Sequence, residues 1–550
     1  MDIILISGEA YIDSPYSGTA VIARVLEKRG FKVGVIAQPA VNSQDDVRRL
    51  GEPKLFWGVS SGCVDSMVAN YTATGKKRRS DDFTPGGINN ARPDRAVIAY
   101  CNLIRSVFKP CKPIVIGGIE ASLRRIAHYD FWSDKVRRPI LFDAKADILS
   151  YGMGEHSMTQ LAEAFRDGKP WKQIRGICYA QPAKEEINPE SVILPDFKSV
   201  SEKSDAGYRT FLEMHRLFSD NQEAQSASPL AQLVDSRNLI HNPPAELLST
   251  EELDEVYNLP YELDVHPECA RRGKVKAIDT IRFSITTHRG CYGACNFCAI
   301  AVHQGRRVIS RSEQSILNET KRMAGHPRFK GIIQDVGGPT ANMYGFECAH
   351  KIRDGACKDK RCLYPVVCKG LHPTHKPLIN LLTKLRNLPN IRRVFTASGI
   401  RPDLITADAK YGEEYIRCVT EHHVSGQLKL APEHISKQVL GFMGKPGTES
   451  LLEFKKIFQE TNRRCGLKQF LTYYFIAAHP GCTLEDMKAL KRFATTELKL
   501  NPEQVQIFTP TPSTWSTAMY YTGIDPTNGE HIFVAKGAGD KQRQKNVLQR

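Results

Sequence analysis

Three cysteines, Cys291, Cys295 and Cys298, lie close together directly after an apolar run that ends at Thr286 and is typical of a β-strand. Thiolates at this spacing can occupy three corners of a four-iron, four-sulfur cube. Such cubes are normally held by four cysteines, so a loop with three cysteines leaves one iron open. The sequence therefore predicts that this loop folds around an inorganic group at the end of a strand.

An open iron can bind a small chelating ligand. The spacing C-x3-C-x2-C, with the aromatic residue Phe297 before the last cysteine, is the pattern that brings S-adenosylmethionine to that iron in radical S-adenosylmethionine enzymes. The competing interpretation is a zinc ion, for which His288 or His303 would complete a Cys3His site. Structural zinc sites more often pair two knuckles across a longer loop, so the spacing favours the [4Fe-4S] cluster.

The composition is that of a globular protein that does not span a membrane. The chain is 41% hydrophobic and 25% charged, and no apolar run approaches the roughly 18 residues of a transmembrane helix. The apolar start, Met1 to Ile6, lacks the basic residues of a signal peptide and is expected to be a strand. Fifteen cysteines without a signal peptide predict a reducing, cytoplasmic location.

The formal charge of +16 is compatible with a polyanionic partner such as RNA. The one sharp basic cluster, Lys76 to Arg79, is most simply a solvated loop, and no RNA-binding module is recognisable in the sequence.

The pattern of strands and helices predicts an α/β protein with two main domains. Residues 1–185 alternate strands and helices, which predicts an open parallel sheet. Residues 186–275 are irregular and are interpreted as a connector. Residues 276–527 contain about six strand–helix units, which predicts a partial (β/α)6 barrel of the TIM type with a Cys-rich insert at about 345–375. Residues 528–550 are basic and are expected to form a flexible tail.

The remaining candidate cofactor residues lie where later strands of the barrel end. Gly337, Gly338 and Pro339 follow the second strand, and glycines there let the backbone approach the methionyl group of S-adenosylmethionine. After the next strands, Arg401 is a candidate partner for the methionyl carboxylate and Ser398 for the ribose. Glu433 offers a charged group to the same mouth.

A second set of cysteines consists of Cys348, Cys357, Cys362 and Cys368. Four thiolates this close in sequence are expected to hold an auxiliary iron–sulfur cluster or a zinc ion, the latter with His372 as a further candidate ligand. The sequence does not separate the two metals.

Several segments resemble the YgiQ-type family of radical S-adenosylmethionine proteins. They include Ser7 to Tyr11, Gly117 to Ser122, the strand that leads into the cysteine loop, and Leu430 to His434. The resemblance implies a C-terminal radical S-adenosylmethionine barrel and an N-terminal α/β domain similar to cobalamin-binding, Rossmann-like modules. The first loop, Gly8 to Gly18, contains no histidine for axial ligation, which argues against cobalamin.

The sequence thus predicts an enzyme that cleaves S-adenosylmethionine reductively and uses the 5′-deoxyadenosyl radical to abstract hydrogen from a substrate it does not identify. An electron donor such as flavodoxin or ferredoxin is expected. The alternatives are a methylthiotransferase-like enzyme that modifies tRNA or the ribosome, and a non-catalytic protein that binds zinc and nucleic acid.

Overall fold

The computed structural model describes residues 1–502 and 504–549. The chain folds into two compact units, each built from more than one segment. The first unit comprises Met1–Leu247, Leu259–Arg282 and Thr511–Thr522, and the second comprises Leu248–Asn258, Phe283–Pro510 and Gly523–Arg550.

The first unit is built on a nine-stranded sheet. Its strands are β1 (Ile3–Ser7), β2 (Val33–Ala37), β3 (Phe56–Ser60), β4 (Ile114–Gly117), β5 (Ile148–Ser150), β6 (Ile177–Pro182), β7 (Val192–Leu194), β8 (Leu230–Val234) and β9 (Arg237–His241). They lie in the order β7-β8-β9-β6-β5-β4-β3-β1-β2. The five strands from β2 to β5 are parallel, which confirms the predicted open parallel sheet.

The chain reverses its direction of travel across this sheet between β1 and β3, which pair side by side. In open α/β sheets, this reversal opens a crevice at the carboxyl ends of the strands. The main helices of the unit are α1 (Gly18–Lys28), α2 (Ala96–Val107), α3 (Glu155–Asp167) and α4 (Asp205–Asp220). In α1, Ala20, Ala23 and Leu26 are buried, the spacing of a helix that packs one face on a core.

The segment expected to be a connector, residues 186–275, belongs to this unit except for Leu248–Asn258. It contributes β7, β8 and β9 to the large sheet, together with α4. β8 and β9 form an antiparallel hairpin, and β9 pairs with β6. The interpretation as a connector was wrong, because β9 pairs with β6, β8 with β9 and β7 with β8. This pairing stabilises short strands that lack a strong local pattern.

The second unit contains a partial barrel. Its strands are β10 (Ser284–Thr286), β11 (Ile332–Ile333), β12 (Asp335–Gly337), β13 (Arg393–Val394), β14 (Gln427–Glu433), β15 (Phe470–Ala477) and β16 (Val505–Ile507). β10 pairs with β12, β11 with β13, β14 with β15, and β15 with β16, all in parallel. A parallel bridge between Ile400 and Leu430 joins the strands β10 to β13 to the strands β14 to β16. The strands therefore follow one another in chain order, as expected of a six-unit partial barrel.

Helices alternate with these strands. They are α5 (Glu313–Ala324), α6 (Lys376–Arg386), α7 (Gly412–His422), α8 (Glu449–Arg464), α9 (Leu484–Phe493) and α10 (Ala538–Gln549). No helix among the described residues is both long and apolar enough to cross a membrane.

Helix α10 occupies most of the predicted flexible tail, 528–550, whose last residue lies outside the described residues. The Gln544 side chain is buried, accepts a hydrogen bond from the backbone N–H of Ala478 at 2.8 Å and donates one to the Cys482 carbonyl at 2.7 Å. The expectation of a flexible tail is corrected, because these contacts fix the helix against the end of β15.

We expect His215 of α4 to make the first unit sensitive to acid. Its ring is buried with its centroid 4.4 Å from that of Trp515, and burial lowers its pKa from 6.5 to about 4. As the pH falls below the pKa that His215 has in the unfolded chain, the unfolded chain therefore binds a proton that the folded chain does not bind. The free energy of unfolding should fall by up to about 3 kcal/mol as the pH drops from neutral through this window.

Thermal unfolding of the wild type and of His215→Gln, measured between about pH 7 and about pH 4.5, checks this expectation. The variant should lose less stability on acidification, whatever its stability at neutral pH. An equal slope for His215→Gln would contradict the assignment.

Candidate functional site

The cysteine loop leaves the carboxyl end of β10 through a tight turn at Gly290. Gly290 has φ +85°, and a Cβ there would lie 1.9 Å from the carbonyl oxygen of Arg307. Its N–H donates to the Gln304 side chain at 3.1 Å, and the Cys291 N–H donates to the Gly305 carbonyl at 3.3 Å. Glycine is thus required here both for the left-handed backbone and for the close approach of the returning chain.

The far side of the loop is fastened by Asn296 and Arg361. The Asn296 N–H donates to the Met443 carbonyl at 2.9 Å, and its side-chain amide donates to the Phe442 carbonyl at 2.8 Å. Arg361 donates to the Ala294 carbonyl at 3.1 Å and to the Asn296 side-chain oxygen at 2.6 Å. The backbone of the loop is therefore fixed from both sides.

Two of the three sulfurs flank Gly293. A Cβ added to Gly293 would lie 3.4 Å from the Cys291 sulfur and 3.5 Å from the Cys295 sulfur. In a four-iron cube each cysteine binds a different iron, whereas a zinc ion would draw its ligands to one centre.

Burial raises the pKa of the Cys291 thiol and raises that of Cys298 to about 12. Thiols with such pKa values stay protonated at neutral pH until a metal replaces the proton. The Cys298 N–H donates to the Cys295 carbonyl at 3.0 Å, which holds these two ligands on one short turn.

The loop after β12 reaches the cysteine loop. The Thr340 hydroxyl lies 3.8 Å from the Cys291 sulfur. A Cβ on Gly338 would lie 2.7 Å from the His288 ring, and a Cβ on Gly337 would lie 2.9 Å from the Ser398 side chain. The predicted Gly337, Gly338 and Pro339 segment therefore lies at the site and is packed too closely for side chains at either glycine.

The carbonyl oxygen of Gly337 already accepts two hydrogen bonds from within the chain. It accepts the Thr287 N–H at 2.7 Å and the Thr287 hydroxyl at 3.1 Å. A carbonyl oxygen has two lone pairs, so the expected hydrogen bond from a methionyl ammonium would fall on the backbone that follows, at Gly338 and half-buried Pro339.

Ser398 lies beside this loop and is hydrogen-bonded to Asp335 at the start of β12. The Ser398 hydroxyl donates to one Asp335 oxygen, and the N–H groups of Ala397 and Ser398 donate to the other at 2.7 and 3.0 Å. Sequence reasoning missed Asp335, although a carboxylate directly before a Gly-Gly turn at a strand end could have indicated it. Its carboxylate ties β12 to the loop after β13.

Arg401 points to the cysteine loop. Its Nη1 lies 3.7 Å from the Cys295 sulfur, and its Nε donates to Asp403 at 2.9 Å in a two-pronged ion pair. Against the lowering effect of burial, the ion pair with Asp403 raises the pKa of Arg401 above its usual value. The guanidinium is therefore a permanent buried positive charge beside the sulfurs, and Asp403 is a partner that sequence reasoning did not find.

Glu433 ends β14 in a strained backbone conformation, with φ +66°. Burial raises the pKa of its carboxyl group, and its oxygen lies 3.6 Å from the Lys445 ammonium. A non-glycine residue in this region of backbone conformation costs energy, and such strain is often found at functional sites.

Phe297 packs edge-on against His479, with ring centroids 6.4 Å apart.

The chain is similar to known proteins over its whole length. The family model described as Radical SAM N-terminal matches residues 1–284. A UPF0313 protein of Fusobacterium nucleatum is 55% identical over 549 residues, which cover 100% of this chain and 95% of that protein.

Two solved structures share the fold. TsrM from Kitasatospora setae, with cobalamin and a [4Fe-4S] cluster bound, covers 99% of this chain and 90% of its own with a TM-score of 0.53 and 14% identity. The cobalamin-dependent enzyme OxsB, with aqua-cobalamin bound, covers 94% of this chain and 54% of its own with a TM-score of 0.51 and 13% identity. At these identities the likeness establishes the fold.

Both structures contain cobalamin, so the argument against cobalamin in this chain is not supported. That argument rested on the absence of histidine between Gly8 and Gly18. A missing histidine excludes axial ligation from that loop but not other ways of holding a corrin.

We expect Gly290→Ala to impair cluster binding. The added Cβ collides with the Arg307 carbonyl, and the left-handed backbone is strained for alanine. Iron retained after anaerobic reconstitution should fall to less than half that of the wild type, with circular dichroism unchanged. Gly399→Ala is the matched control, since a Cβ there meets nothing within 4 Å, and full iron binding by Gly290→Ala would contradict the expectation.

Proposed function

The chain belongs to the UPF0313, or YgiQ-type, family of radical S-adenosylmethionine enzymes, and on this premise we propose that it cleaves S-adenosylmethionine reductively. Cys291, Cys295 and Cys298 hold a [4Fe-4S] cluster with one open iron. When bound, this cluster supplies an electron to S-adenosylmethionine, which yields methionine and a 5′-deoxyadenosyl radical that removes a hydrogen atom from the substrate.

One observation carries the proposal. The three-cysteine loop follows the first strand of the partial barrel, and the glycine loop of the neighbouring strand meets it at Thr340 and Cys291, 3.8 Å apart. In barrels of this type, function resides on the loops at the carboxyl ends of the strands. The two loops that need to cooperate are thus neighbours on one face.

The other residues of the site position the methionyl group and offset the charge on the sulfurs. The backbone at Gly338 and Pro339 is free of bulky side chains and suits the methionyl group. Arg401 stabilises negative charge on the sulfurs, while Asp403 keeps its guanidinium in place. Glu433, held close to Lys445, offers a carboxyl group on the neighbouring strand end. The electron comes from a small carrier such as flavodoxin or ferredoxin.

A methylthiotransferase-like modification of RNA is the second candidate for the reaction. The formal charge of +16 supports it, because positive charge attracts a polyanionic substrate. The second set of cysteines also supports it, because these residues offer ligands for an auxiliary cluster. A non-catalytic protein that binds zinc and nucleic acid is the remaining alternative, and it would hold zinc without iron.

Anaerobic reconstitution tests the proposal. With dithionite and S-adenosylmethionine, the protein should form 5′-deoxyadenosine, and its reduced cluster should give an electron paramagnetic resonance signal that changes on adding S-adenosylmethionine. Cys295→Ala should lose both, because it removes a cluster ligand. Cys465→Ala, at an exposed cysteine, should retain both, and zinc without iron in the wild type would refute the proposal.

We expect Arg401→Gln to lower the reduction potential of this cluster. The reduced cluster carries one more negative charge, which the adjacent guanidinium stabilises. Loss of that charge should disfavour reduction by about tenfold, equivalent to about 59 mV for one electron. A redox titration followed by electron paramagnetic resonance measures the shift.

Arg417→Gln is the control for this titration. Arg417 pairs with Glu413 one turn away on the surface of α7, so its replacement should leave the potential unchanged. An unchanged potential in Arg401→Gln would show that the guanidinium does not act on the cluster.

A further inference from the structure

We propose that Cys348, Cys357, Cys362 and Cys368 hold a second, fully ligated [4Fe-4S] cluster. These residues belong to the segment between β12 and α6, which contains only the short helix Ala349–Asp354 and a single turn, Lys369–Leu371. All four are free, half-buried thiols. Four thiolates satisfy every iron of a cube, so this cluster, unlike the first, has no open iron.

The strongest observation is the position of Gly370 between two of the sulfurs. A Cβ added there would lie 3.9 Å from the sulfurs of both Cys348 and Cys368. Gly293 lies between Cys291 and Cys295 in the same way, at 3.4 and 3.5 Å. In both places a glycine leaves the space between two cysteine sulfurs free of a side chain.

Cys362 lies beside this pair. The Cys368 N–H donates to the Cys362 carbonyl at 2.8 Å, which closes a loop between these two cysteines. Both Cys348 and Cys362 pack against one apolar cluster, consisting of Tyr292, Val308, Met343, Leu363, Leu371 and Leu404. Three of the four thiols are thus gathered on one small core.

Cys357 is tied to the same place through Arg306. The Arg306 guanidinium donates to the Cys357 carbonyl at 2.8 Å, and the Arg306 carbonyl accepts from the buried Lys351 ammonium at 2.8 Å. Lys351 lies on the short helix Ala349–Asp354, which begins directly after Cys348. Arg306 therefore links the backbone of Cys357 to the helix that follows Cys348.

The charges in this segment suit a cluster. Four thiolates around a four-iron core carry a net negative charge, which Lys351 and Arg306 offset. Lys351 is almost fully buried, and its nearest carboxylate oxygen, on Glu347, lies 3.4 Å away. Lys351 thus forms a buried ion pair with Glu347, and its ammonium also donates to the Arg306 carbonyl.

A single zinc ion is the competing occupant of this segment. Zinc draws its sulfurs to about 2.3 Å from one centre, whereas a cube binds each sulfur through a separate iron. Metal analysis separates the two.

Metal and sulfide analysis of the anaerobically reconstituted full-length protein tests the proposal. The wild type should bind about eight irons per chain, and Cys362→Ser/Cys368→Ser about four. Cys348→Ser alone should also fall towards four, and Cys418→Ser, outside both sets, should keep the wild-type iron. About four irons in both the wild type and the double variant would overturn the proposal, as would one zinc per chain that the double variant loses.

Electron paramagnetic resonance separates this proposal from that for the first site. In the double variant the signal that responds to S-adenosylmethionine should remain, which also shows that the barrel has folded. In Cys295→Ala the signal that remains should not respond to S-adenosylmethionine, because a fully ligated cluster has no open iron. Loss of all iron in Cys295→Ala would overturn the proposal of a second cluster and would leave the proposal for the first site standing.

Discussion

The parallel pairing of β10 with β12 is the constraint on which the site depends. Thr286 lies opposite Gly337 in this pairing, and the N–H and hydroxyl of Thr287 both donate to the Gly337 carbonyl. Because the strands run in the same direction, the residues that follow each strand emerge at the same edge. The register thereby brings Cys291 and Thr340 together although they are far apart in sequence, and a slip of one residue would separate them.

Buried charge is the second organising feature. Arg401 and Asp403 form an ion pair close to the cysteine sulfurs, and such a pair rarely improves stability over apolar packing. Lys351, next to the second set of cysteines, is similarly buried. Both cations lie beside thiols, and thiolates are the ligands of iron–sulfur clusters. The positive charges are therefore best understood as serving the negative groups that the cysteines would hold.

Much of the fold followed from local patterns. The buried strand Ile3–Ser7, the helix after it and the six strand–helix units of the barrel were all predictable, because each carries its own hydrophobic period. The strands β7 to β9 and helix α10 were not. β7 to β9 are stable because they pair with one another and, through β9, with β6. α10 is stable because Gln544 bridges Ala478 and Cys482. These are tertiary contacts that no short window of sequence contains.

The sequence by itself determined the chemistry of the cluster loop. The spacing of Cys291, Cys295 and Cys298 is a local property, and three thiolates on one short loop predict a cluster with an open iron. Only the tertiary structure decided which groups surround that loop. Asp335, Thr340 and Asp403 take their roles from strand register and loop packing, and Arg401 meets Cys295 across the barrel mouth. Ligands that are close in sequence can be recognised from the sequence, whereas the residues that contact them depend on which strand ends the fold brings together.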